Sequence, residues 1–540
     1  MLWEIDKNPN EYPEVIKDIY YKLCINKRGD FTLWIDSFSK KFGKDLIWWS
    51  SIPSTRDPFI SSIFKNYCII QTIIFFNKKF HLKIVTTKRE SYLTLLKFNS
   101  TYKFKLIYKK KYDLKKYFKN FFYLFYSIFY YLIIYFLIKI FTKKKKLSKY
   151  PIFINTFALE GSENNEKVFL GFDKIIKKKR INNIYFVPNF IFNKKVIFLI
   201  LKLIKKDFFL FRENYINFKE ILYALLIFFR KKKLLQYKYK FNKLDLSELF
   251  YAEFKSVDQY FSKITCILNF IFAKKLKDLN INVKKTINTF ENQILEKGWN
   301  LGFRTFFKKT KVYGYQGYTN FIQYINHYPS KMEEKFNVIP QKIILPGKAY
   351  RKAKYEFNKN LKIINGPAFR FINIHRNNNI IRKKYKIVII LSGIQSSDQF
   401  LIDIGDFILK ENQIKKIYVK PHPTLKVKHL KFYNKKLIIS KLEIHKICQS
   451  NTIVICCGPT SASVEGILYG STLICPIFDP FDKLNLIQYK ILKNKYTFVK
   501  NKEQILMIIK NIFRKKIEKK IINKNYFFQK INQKNIKIFT

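Results

Sequence analysis

The sequence predicts an α/β fold, and residues 416–480 show the pattern most clearly. Two short β-branched runs, 417–419 and 453–456, have the composition of strands buried in a parallel sheet. The second run is followed by a turn, a helical pattern over 463–470 and a third strand at 472–475. In open α/β sheets of this order, ligands bind just beyond the carboxyl ends of the strands.

Similar patterns extend through the rest of the chain. Short apolar runs predict strands at 45–49, 83–85, 103–108, 151–154, 184–187, 310–317 and 386–391. Helical patterns occupy 90–98, 196–204, 221–229 and most of 255–310. A chain of 540 residues is long enough for two or three domains with large cores.

The formal net charge of +66 would ordinarily indicate a nucleic-acid-binding protein. Here the positive residues are mostly lysines spread along the chain, and arginine, the preferred reader of phosphates and bases, is scarce. We therefore expect no nucleic-acid partner, and expect the charge to favour an anionic membrane surface. The seven cysteines include no CxxC pair, which indicates reduced core cysteines in a cytosolic compartment; no metal site is predicted.

Residues 121–138 form an uncharged, strongly apolar run with lysines on both sides. Its length is at the lower limit for a membrane-spanning helix. Because lysines flank both ends, the positive-inside rule gives no orientation. A single crossing would put the first part of the chain and its C-terminal half on opposite sides of the bilayer, although the two parts need each other. We expect a helix that lies in or dips into the cytoplasmic face of the cytoplasmic membrane, with a buried core helix as the alternative.

Candidate ligand-binding residues follow the predicted strands of the C-terminal half. Two prolines restrict the ring of His422, which can donate a hydrogen bond to a phosphate. Ser461 and Ser463 lie at the start of a predicted helix, whose N-terminus attracts phosphate, and Glu465 could accept hydrogen bonds from a ribose. The serine-rich loop 392–397 is a weaker candidate of the same kind. The alternatives are a structural histidine and plain helix-capping serines.

The first half of the chain offers candidates for an acceptor site. Arg56 and Asp57 follow the predicted strand 45–49 and should face a crevice, unless they only pair with each other. Gln316 lies where the predicted strand 310–317 enters a turn. Glu291 is the predicted general base, and the alternative is an exposed acid at a helix start.

Two C-terminal segments, VKPHP at 419–423 and GPTSASVEGILYGSTLICP at 458–476, resemble the donor-binding motifs of two-lobed GT-B glycosyltransferases. The closest resemblance is to those that make bacterial capsule, lipopolysaccharide and teichoic-acid polymers. Other segments are similar to a group of surface-carbohydrate biosynthesis proteins: LIWWSSIPSTRDP at 46–58, FENQILEKGWNLGF at 290–303, KVYGYQG at 311–317 and INGPAFRF at 364–371. One departure is Gly317, where those proteins often carry histidine.

The resemblance implies two Rossmann-like lobes with a membrane-associated helix in the first half. Residues 1–118 would begin the N-terminal lobe, 119–147 would form the membrane helix, 148–362 would complete the acceptor lobe, and 363–540 would form the donor lobe. The resemblance implies His422, Ser461 and Ser463 for the donor phosphates and Glu465 for the ribose. The other predicted donor-binding residues are Lys420, Ser392, Gly393, Ser396, Gly458 and Thr460.

The implied reaction transfers a sugar, of the hexosyl or the nonulosonyl (Kdo-like) type, from a nucleotide-sugar donor to a lipid-linked or polysaccharide acceptor. His422 and Glu291 would be catalytic, without a metal or other cofactor. Three alternatives stay open: a teichoic-acid-type transferase that uses a CDP-polyol, a sugar-nucleotide epimerase and, least favoured, a basic nucleic-acid-binding protein.

Overall fold

The computed structural model describes most of the chain. The described residues are 1–76, 81–99, 102, 104–110, 114–158, 168–190, 195–241, 244–319, 322, 324–375, 385–411, 413–422, 427–457, 460–478, 492, 495–514 and 522–540.

The N-terminal region forms a small sheet of its own. Three parallel strands lie in the order β1-β2-β3, and five helices surround them. These elements are β1 (Leu2–Glu4), α1 (Glu14–Asn26), α2 (Arg28–Phe42), α3 (Leu46–Trp49), α4 (Ile63–Phe76), β2 (Lys83–Thr86), α5 (Arg89–Asn99) and β3 (Lys105–Tyr108). The region predicted to begin the N-terminal lobe therefore adds no described strand to that lobe's main sheet.

The predicted strand at 45–49 is wrong, because these residues form helix α3. The Asp45 side chain caps this helix by accepting a hydrogen bond from the Ile47 amide at 2.8 Å. The indoles of Trp48 and Trp49 are fully buried. Trp48 donates a hydrogen bond to the Ser39 hydroxyl, and Trp49 donates one to the Gly43 carbonyl. An apolar run of four residues fits a buried helical turn as well as a strand.

The first lobe is built on a six-stranded parallel sheet in the order β11-β10-β9-β8-β4-β5. Its strands are β4 (Ile152–Ala158), β5 (Ile184–Phe190), β8 (Lys285–Thr289), β9 (Lys311–Tyr315), β10 (Lys342–Leu345) and β11 (Ile363–Asn365); β6 (Lys240–Phe241) and β7 (Leu244–Asp245) form a separate hairpin. The helices of this part of the chain are α6 (Leu114–Phe141), α7 (Phe172–Lys178), α8 (Val196–Ile204), α9 (Phe218–Leu225), α10 (Lys232–Leu235), α11 (Ser247–Lys255), α12 (Tyr260–Asp278), α13 (Ile294–Phe306), α14 (Lys331–Lys335) and α15 (Arg351–Lys354). Of these, α10 and α11 pack against the core of the N-terminal region.

Strand β8 interrupts the stretch 255–310, which the sequence predicts as mostly helical. Its residues, Lys-Thr-Ile-Asn-Thr, contain no continuous apolar run, although all five are buried between β4 and β9. A buried strand with this much polarity resembles a loop in the sequence, so only the sheet reveals it.

Helix α6 contains the apolar run. Its portion Asn120–Phe141 has a mean hydropathy of 2.0 and is long and apolar enough to cross a membrane by length and composition, and 33% of its most apolar window is buried. Tyr130, Tyr131, Ile134 and Ile138 pack into the first-lobe core. The opposite side of the helix is exposed although it is apolar as well, so the protein covers only one side of α6.

The second lobe is built on a parallel sheet in the order β14-β13-β12-β15-β16-β17. Its elements are β12 (Lys386–Ile390), α16 (Gln395–Ile408), β13 (Ile417–Lys420), β14 (Leu437–Ile439), α17 (Ile444–Ile447), β15 (Thr452–Ile455), α18 (Ser461–Leu468), β16 (Thr472–Pro476), β17 (Tyr496–Val499) and α19 (Lys502–Arg514). Numbered within the lobe, this is the order 3-2-1-4-5-6 of a Rossmann fold. The predicted α/β architecture of two lobes, each with a parallel sheet, is confirmed.

The C-terminus returns to the first lobe through α20 (Lys524–Phe527) and α21 (Gln533–Ile536). The Gln529 amide donates to the Pro346 carbonyl at 2.6 Å, and Phe539 packs in the first-lobe core. Strand β11 also belongs to the first lobe, although it lies within the predicted donor segment 363–540. All seven cysteines are buried and free.

Several short 3-10 helices connect these elements. They are Pro9–Glu11, Pro53–Thr55, Arg212–Asn214, Leu226–Phe229, Ile325–His327, Lys348–Tyr350, Phe369–His375 and Val427–His429.

Candidate functional site

A cleft of about 570 Å³ lies between the two lobes and collects most of the predicted site residues. The predicted residues that line it are Asp57, Glu291, Ser392, Gly393, Lys420, His422, Thr460, Ser461 and Glu465. Residues that the sequence did not single out line it too, including Phe59, Tyr318, Tyr324, His327 and Arg370. Gly458 lies outside the described residues.

The second-lobe wall of the cleft lies where the strand order reverses. Strands β12 and β15 are neighbours in space but are separated in sequence by β13 and β14. The loops that follow them diverge, which opens a crevice at the carboxyl edge of the sheet. Ser392 follows β12, Thr460 and Ser461 follow β15, and His422 follows β13.

Helix α18 directs its polar side chains in two directions. Thr460 caps the helix, since its hydroxyl accepts from the Ala462 amide at 3.2 Å. Ser461 faces the cleft, and its hydroxyl lies 3.0 Å from the Thr319 hydroxyl of the first lobe. Glu465, four residues after Ser461, lies on the same side of the helix.

Ser463 is not among the residues that line the cleft. Its hydroxyl is buried and donates to the Thr460 carbonyl at 2.7 Å. Residues two positions apart on a helix point to different sides. The sequence places the helix start at Ser463, whereas α18 begins at Ser461; only the first of the two serines is therefore available to a ligand in the cleft.

Two basic side chains at the end of β13 enter the cleft. Lys420 is the last residue of the strand, and partial burial lowers the pKa of its ammonium group. His422 is partly buried, and burial together with the nearby Arg370 guanidinium lowers the pKa of its imidazole. The imidazole is therefore largely neutral at pH 7, and it can donate one hydrogen bond from its N–H.

The loop after β12 is occupied by an internal carboxylate. Asp398 accepts hydrogen bonds from the Ser392 amide at 2.6 Å and the Gly393 amide at 3.0 Å. It also accepts from the Ser392 hydroxyl at 2.9 Å. These donors line the cleft but are already used within the protein. Ser396 lies in a separate groove beside Gln399 and His429.

The first-lobe wall presents carboxyl groups on two loops. Burial raises the pKa of Asp57 to about 6. Burial, supported by the Asp57 charge and opposed by Arg370, raises the pKa of Glu291 to about 7. The Phe59 amide donates to Asp57 at 2.9 Å, and the Gln293 side chain donates to Glu291 at 2.7 Å. Each carboxyl group is thus held in place by its own loop.

Both loops contain a residue in the left-handed region of backbone space. Arg56, with φ of 58°, precedes Asp57, and Asn292, with φ of 55°, follows Glu291. Such conformations cost residues other than glycine free energy and persist only where surrounding contacts impose them. Here the contacts converge on Glu333, a fully buried carboxylate on α14.

Glu333 accepts from Arg56 at 2.6 Å, from the Asn292 side chain at 3.0 Å and from the Ser330 amide at 2.8 Å, and it pairs with Lys297 at 3.2 Å. Burial alone would raise the pKa of Glu333, but Arg56 and Lys297 together lower it below its ordinary value. We call Glu333, Arg56, Lys297 and Asn292 the ion cluster. Arg56, predicted as an acceptor-site residue, is buried in this cluster instead of lining the cleft.

Gln316 also lies outside the cleft. Its amide group is buried, where it accepts from the Lys354 ammonium at 2.8 Å and donates to the Tyr318 carbonyl at 2.9 Å. Glu296 has a supporting position as well, because its carboxylate accepts from the backbone amides of Glu291 and Asn292.

An aromatic stack occupies the first-lobe wall beside Asp57. The Phe59 and Tyr324 rings stack with centroids 4.5 Å apart, and Tyr324 stacks on His327 at 4.6 Å. Phe59 is 48% exposed at the open end of the stack. Sequence reasoning missed these residues because Phe59 and Tyr324 lie far apart in the chain.

Arg370 is a cation that sequence reasoning also missed. It lies on the 3-10 helix Phe369–His375, is exposed, and lines the cleft. Its charge influences the pKa values of Glu291, His422 and Glu465. Burial raises the pKa of Glu465 to about 7, and Arg370 opposes this rise. The available signal was the segment INGPAFRF, whose arginine was not singled out.

No family model and no curated protein matches this sequence. Among solved structures, a UDP-GlcNAc 2-epimerase from Methanocaldococcus jannaschii in complex with UDP-GlcNAc and UDP is similar at 13% identity and a TM-score of 0.40, over 70% of this chain and 95% of that chain. A glycosyltransferase from Rickettsia africae has 13% identity and a TM-score of 0.35, over 68% of this chain and 88% of that chain. An α,α-trehalose 6-phosphate synthase from Burkholderia multivorans has 10% identity and a TM-score of 0.35, over 68% of this chain and 89% of that chain. Identities and scores of this size do not bear on activity.

Proposed function

We propose that this chain is a glycosyltransferase that moves a sugar from a nucleotide-sugar donor to a lipid-linked or polysaccharide acceptor in cell-surface carbohydrate synthesis. The observation that carries the proposal is the difference between the two walls of one cleft. The second-lobe wall holds groups suited to binding a phosphate, namely Lys420, His422 and Ser461. The first-lobe wall holds the carboxyl groups of Asp57 and Glu291.

In the proposed reaction, the donor's nucleotide binds at the carboxyl ends of β12, β13 and β15. The Glu291 carboxylate takes the proton of an acceptor hydroxyl, whose oxygen forms the new bond to the anomeric carbon. The bond from that carbon to the donor phosphate oxygen breaks, and its electron pair leaves with the phosphate. Lys420, Arg370 and the His422 N–H stabilise the negative charge that develops there. A base with a pKa of about 7 suits proton transfer near neutral pH.

The leaving phosphate has these side chains available without a metal ion, so we propose a metal-independent transfer. Glu465 is proposed to hold the ribose of the nucleotide. The acceptor sugar is proposed to enter over Phe59, because an exposed ring beside two carboxyl groups combines an apolar face with hydrogen-bond acceptors.

We also propose that the protein acts on a membrane surface and that α6 lies in that surface. The exposed side of the helix carries Phe122, Phe125, Phe129, Phe136 and Ile140, which we call the apolar face. Exposed apolar surface of this extent commonly marks an interaction site.

The other side of α6 supports a helix that lies flat over one that crosses. The Tyr131 hydroxyl donates to the buried Glu213 carboxylate at 3.0 Å, and Arg212 donates to the Tyr131 oxygen at 3.0 Å. A spanning helix would have to leave these buried partners, whereas a helix in the membrane surface keeps them.

Two measurements test the proposed reaction. The first is thermal unfolding of the detergent-purified protein with CMP, CDP, UDP or GDP, in which one nucleotide should raise the melting temperature. The second follows a donor labelled in both halves. Label from the sugar alone in the product supports the proposal. Transfer of the phosphate with a polyol would instead identify a polyol-phosphate transferase, and an epimerised donor with no acceptor product would identify an epimerase.

A further inference from the structure

A second pocket lies at the end of α6, far along the chain from the strand-end loops of the second lobe. It has a volume of about 310 Å³ and is lined by residues of 141–145 and of 204–215. This volume is at the lower end of the range for small-ligand pockets, about 300–1,000 Å³. Three consecutive lysines, Lys143, Lys144 and Lys145, line it.

The pocket lies at the C-terminal end of the helix that carries the apolar face. Phe141 is the last residue of α6 and is exposed, and it lines the pocket. Ile204, the last residue of α8, lines it as well, and α8 adds Phe198, which is 70% exposed. A bilayer that contacts the exposed rings of α6 and α8 would therefore bring its headgroups to the mouth of the pocket.

The walls of the pocket are held together by hydrogen bonds. The Asn214 side chain donates to the Thr142 hydroxyl at 2.7 Å and to the Lys143 carbonyl at 3.3 Å. The Tyr215 hydroxyl donates to the Lys145 carbonyl at 2.9 Å. These bonds fix the lysine segment against the loop after α8, so the pocket does not depend on a ligand to form.

The charge of the pocket favours an anion. The Lys144 ammonium lies 5.3 Å from the centroid of the Tyr215 ring, and the Lys145 ammonium donates to the Asp207 carbonyl. Lys143 and Lys144 are exposed. Asp207 contributes one carboxylate to the lining, so the three lysines leave a net positive charge.

We propose that this pocket binds the phosphate headgroup of an anionic membrane phospholipid while the apolar face enters the same leaflet. The inference rests on the membrane attachment proposed above, and it adds a specific headgroup site to it. Basic pockets that open at membrane depth are suited to anionic headgroups, and each lysine at an anionic surface strengthens binding about fivefold.

The test is flotation of the full-length protein with vesicles of phosphatidylcholine, alone or with phosphatidylglycerol. The triple variant Lys143→Gln, Lys144→Gln and Lys145→Gln should lose about a hundredfold in affinity for the phosphatidylglycerol vesicles. The matched control, Lys415→Gln with Lys435→Gln and Lys436→Gln, removes the same charge from exposed positions of the second lobe and should lose less than about threefold. Equal losses in the two triple variants would overturn the headgroup pocket.

A second variant separates the apolar contact from the pocket. Phe129→Ser removes a ring of the apolar face that is 63% exposed, so it should weaken binding to both kinds of vesicle. Unchanged binding would show that the apolar face does not enter the leaflet. Both conclusions require variants that keep the melting temperature of the parent protein. If the triple variant unfolds, the double variant Lys143→Gln with Lys144→Gln, which leaves Lys145 intact, replaces it.

The source of the phosphate is tested without a membrane. Binding of glycerol 3-phosphate in solution that disappears in the triple variant would assign the pocket to free phosphate esters and overturn the lipid assignment. None of these measurements involves a donor or an acceptor. A protein without transferase activity that still floats as expected would therefore contradict the proposed function and leave the headgroup pocket standing.

Discussion

The second-lobe wall of the cleft takes its polar groups from the ends of neighbouring strands, whereas the first-lobe wall holds its carboxyl groups on two loops fixed by the ion cluster. Lys420 is the last residue of one strand, His422 follows the same strand, and Ser461 follows another. Asp57 and Glu291 are held through their neighbours Arg56 and Asn292, which both donate hydrogen bonds to Glu333 on α14.

This difference separates two ways of positioning a functional group. The sheet fixes the position of a residue at a strand end. Substitutions there should therefore change ligand binding with little effect on folding. The position of a loop that bonds a buried charge depends on that charge. Substituting the charged residue should therefore lower both the stability and the activity of the protein. The following predictions test this contrast, beginning with the largest expected effect.

Glu333→Gln should destabilise the protein by about 3–5 kcal/mol, because Arg56 and Lys297 would remain buried without their anion. Chemical unfolding measures the change. The control is Glu14→Gln, which removes an exposed carboxylate paired with the partly buried Lys17 and should cost at most about 1 kcal/mol. A Glu333 variant as stable as the control would show that the ion cluster does not hold the first-lobe wall.

Glu291→Gln should lower kcat by about a hundred- to thousandfold, because the acceptor proton loses its base. In the parent protein, kcat/KM should rise with pH and level off above about 7, since the base acts in its deprotonated form. Asp57→Asn should move this limb to lower pH, because the Asp57 charge helps to raise the pKa of Glu291. A limb that is unchanged in Glu291→Gln would assign the titration to another group.

His422→Ala should lower turnover of the donor about a hundredfold if the imidazole stabilises the leaving phosphate. The melting temperature should change little, in contrast to Glu333→Gln. His429→Ala is the matched control, because this exposed histidine lies outside the cleft. An unchanged rate in His422→Ala would reject the role of the imidazole.

Ser461→Ala and Ser463→Ala compare two hydroxyls on one helix. Ser461→Ala should lower kcat/KM for the donor about tenfold, the value of one hydrogen bond to a charged group. Ser463→Ala should leave the kinetics unchanged and cost about 1 kcal/mol of stability, since its hydroxyl bonds the Thr460 carbonyl. The reverse pattern would mean that the helix presents its other side to the donor.

The second-lobe wall could be predicted from the sequence to a large extent. The runs at 386–391, 417–419 and 453–456 become strands within about a residue of their predicted positions. Their apolar, β-branched composition is the signature of strands buried on both faces. Both Ser461 and Ser463 were predicted at the site, and only Ser461 lines the cleft. The difference depends on where the helix starts, and helix ends are the least certain part of such a prediction.

The first-lobe wall could be predicted only in part. Glu291 and Asp57 were singled out and do line the cleft, but Arg56 was assigned to the site when it supports it. Phe59 was missed, because nothing in its neighbouring residues distinguishes it from other exposed side chains. Arg370 was missed although it lies in the segment INGPAFRF.

Local composition is enough to predict the parallel strands of the second lobe, the loops at their ends and the apolar run of α6, because buried strands and long apolar helices are recognisable from adjacent residues. Three contacts cannot be recognised in this way: the pairing of Arg56 with Glu333, the stack of Phe59 on Tyr324 and the approach of Ser461 to Thr319. Each joins residues more than a hundred positions apart, and the free energy of a buried ion pair or a ring contact exists only after packing has removed water from both partners.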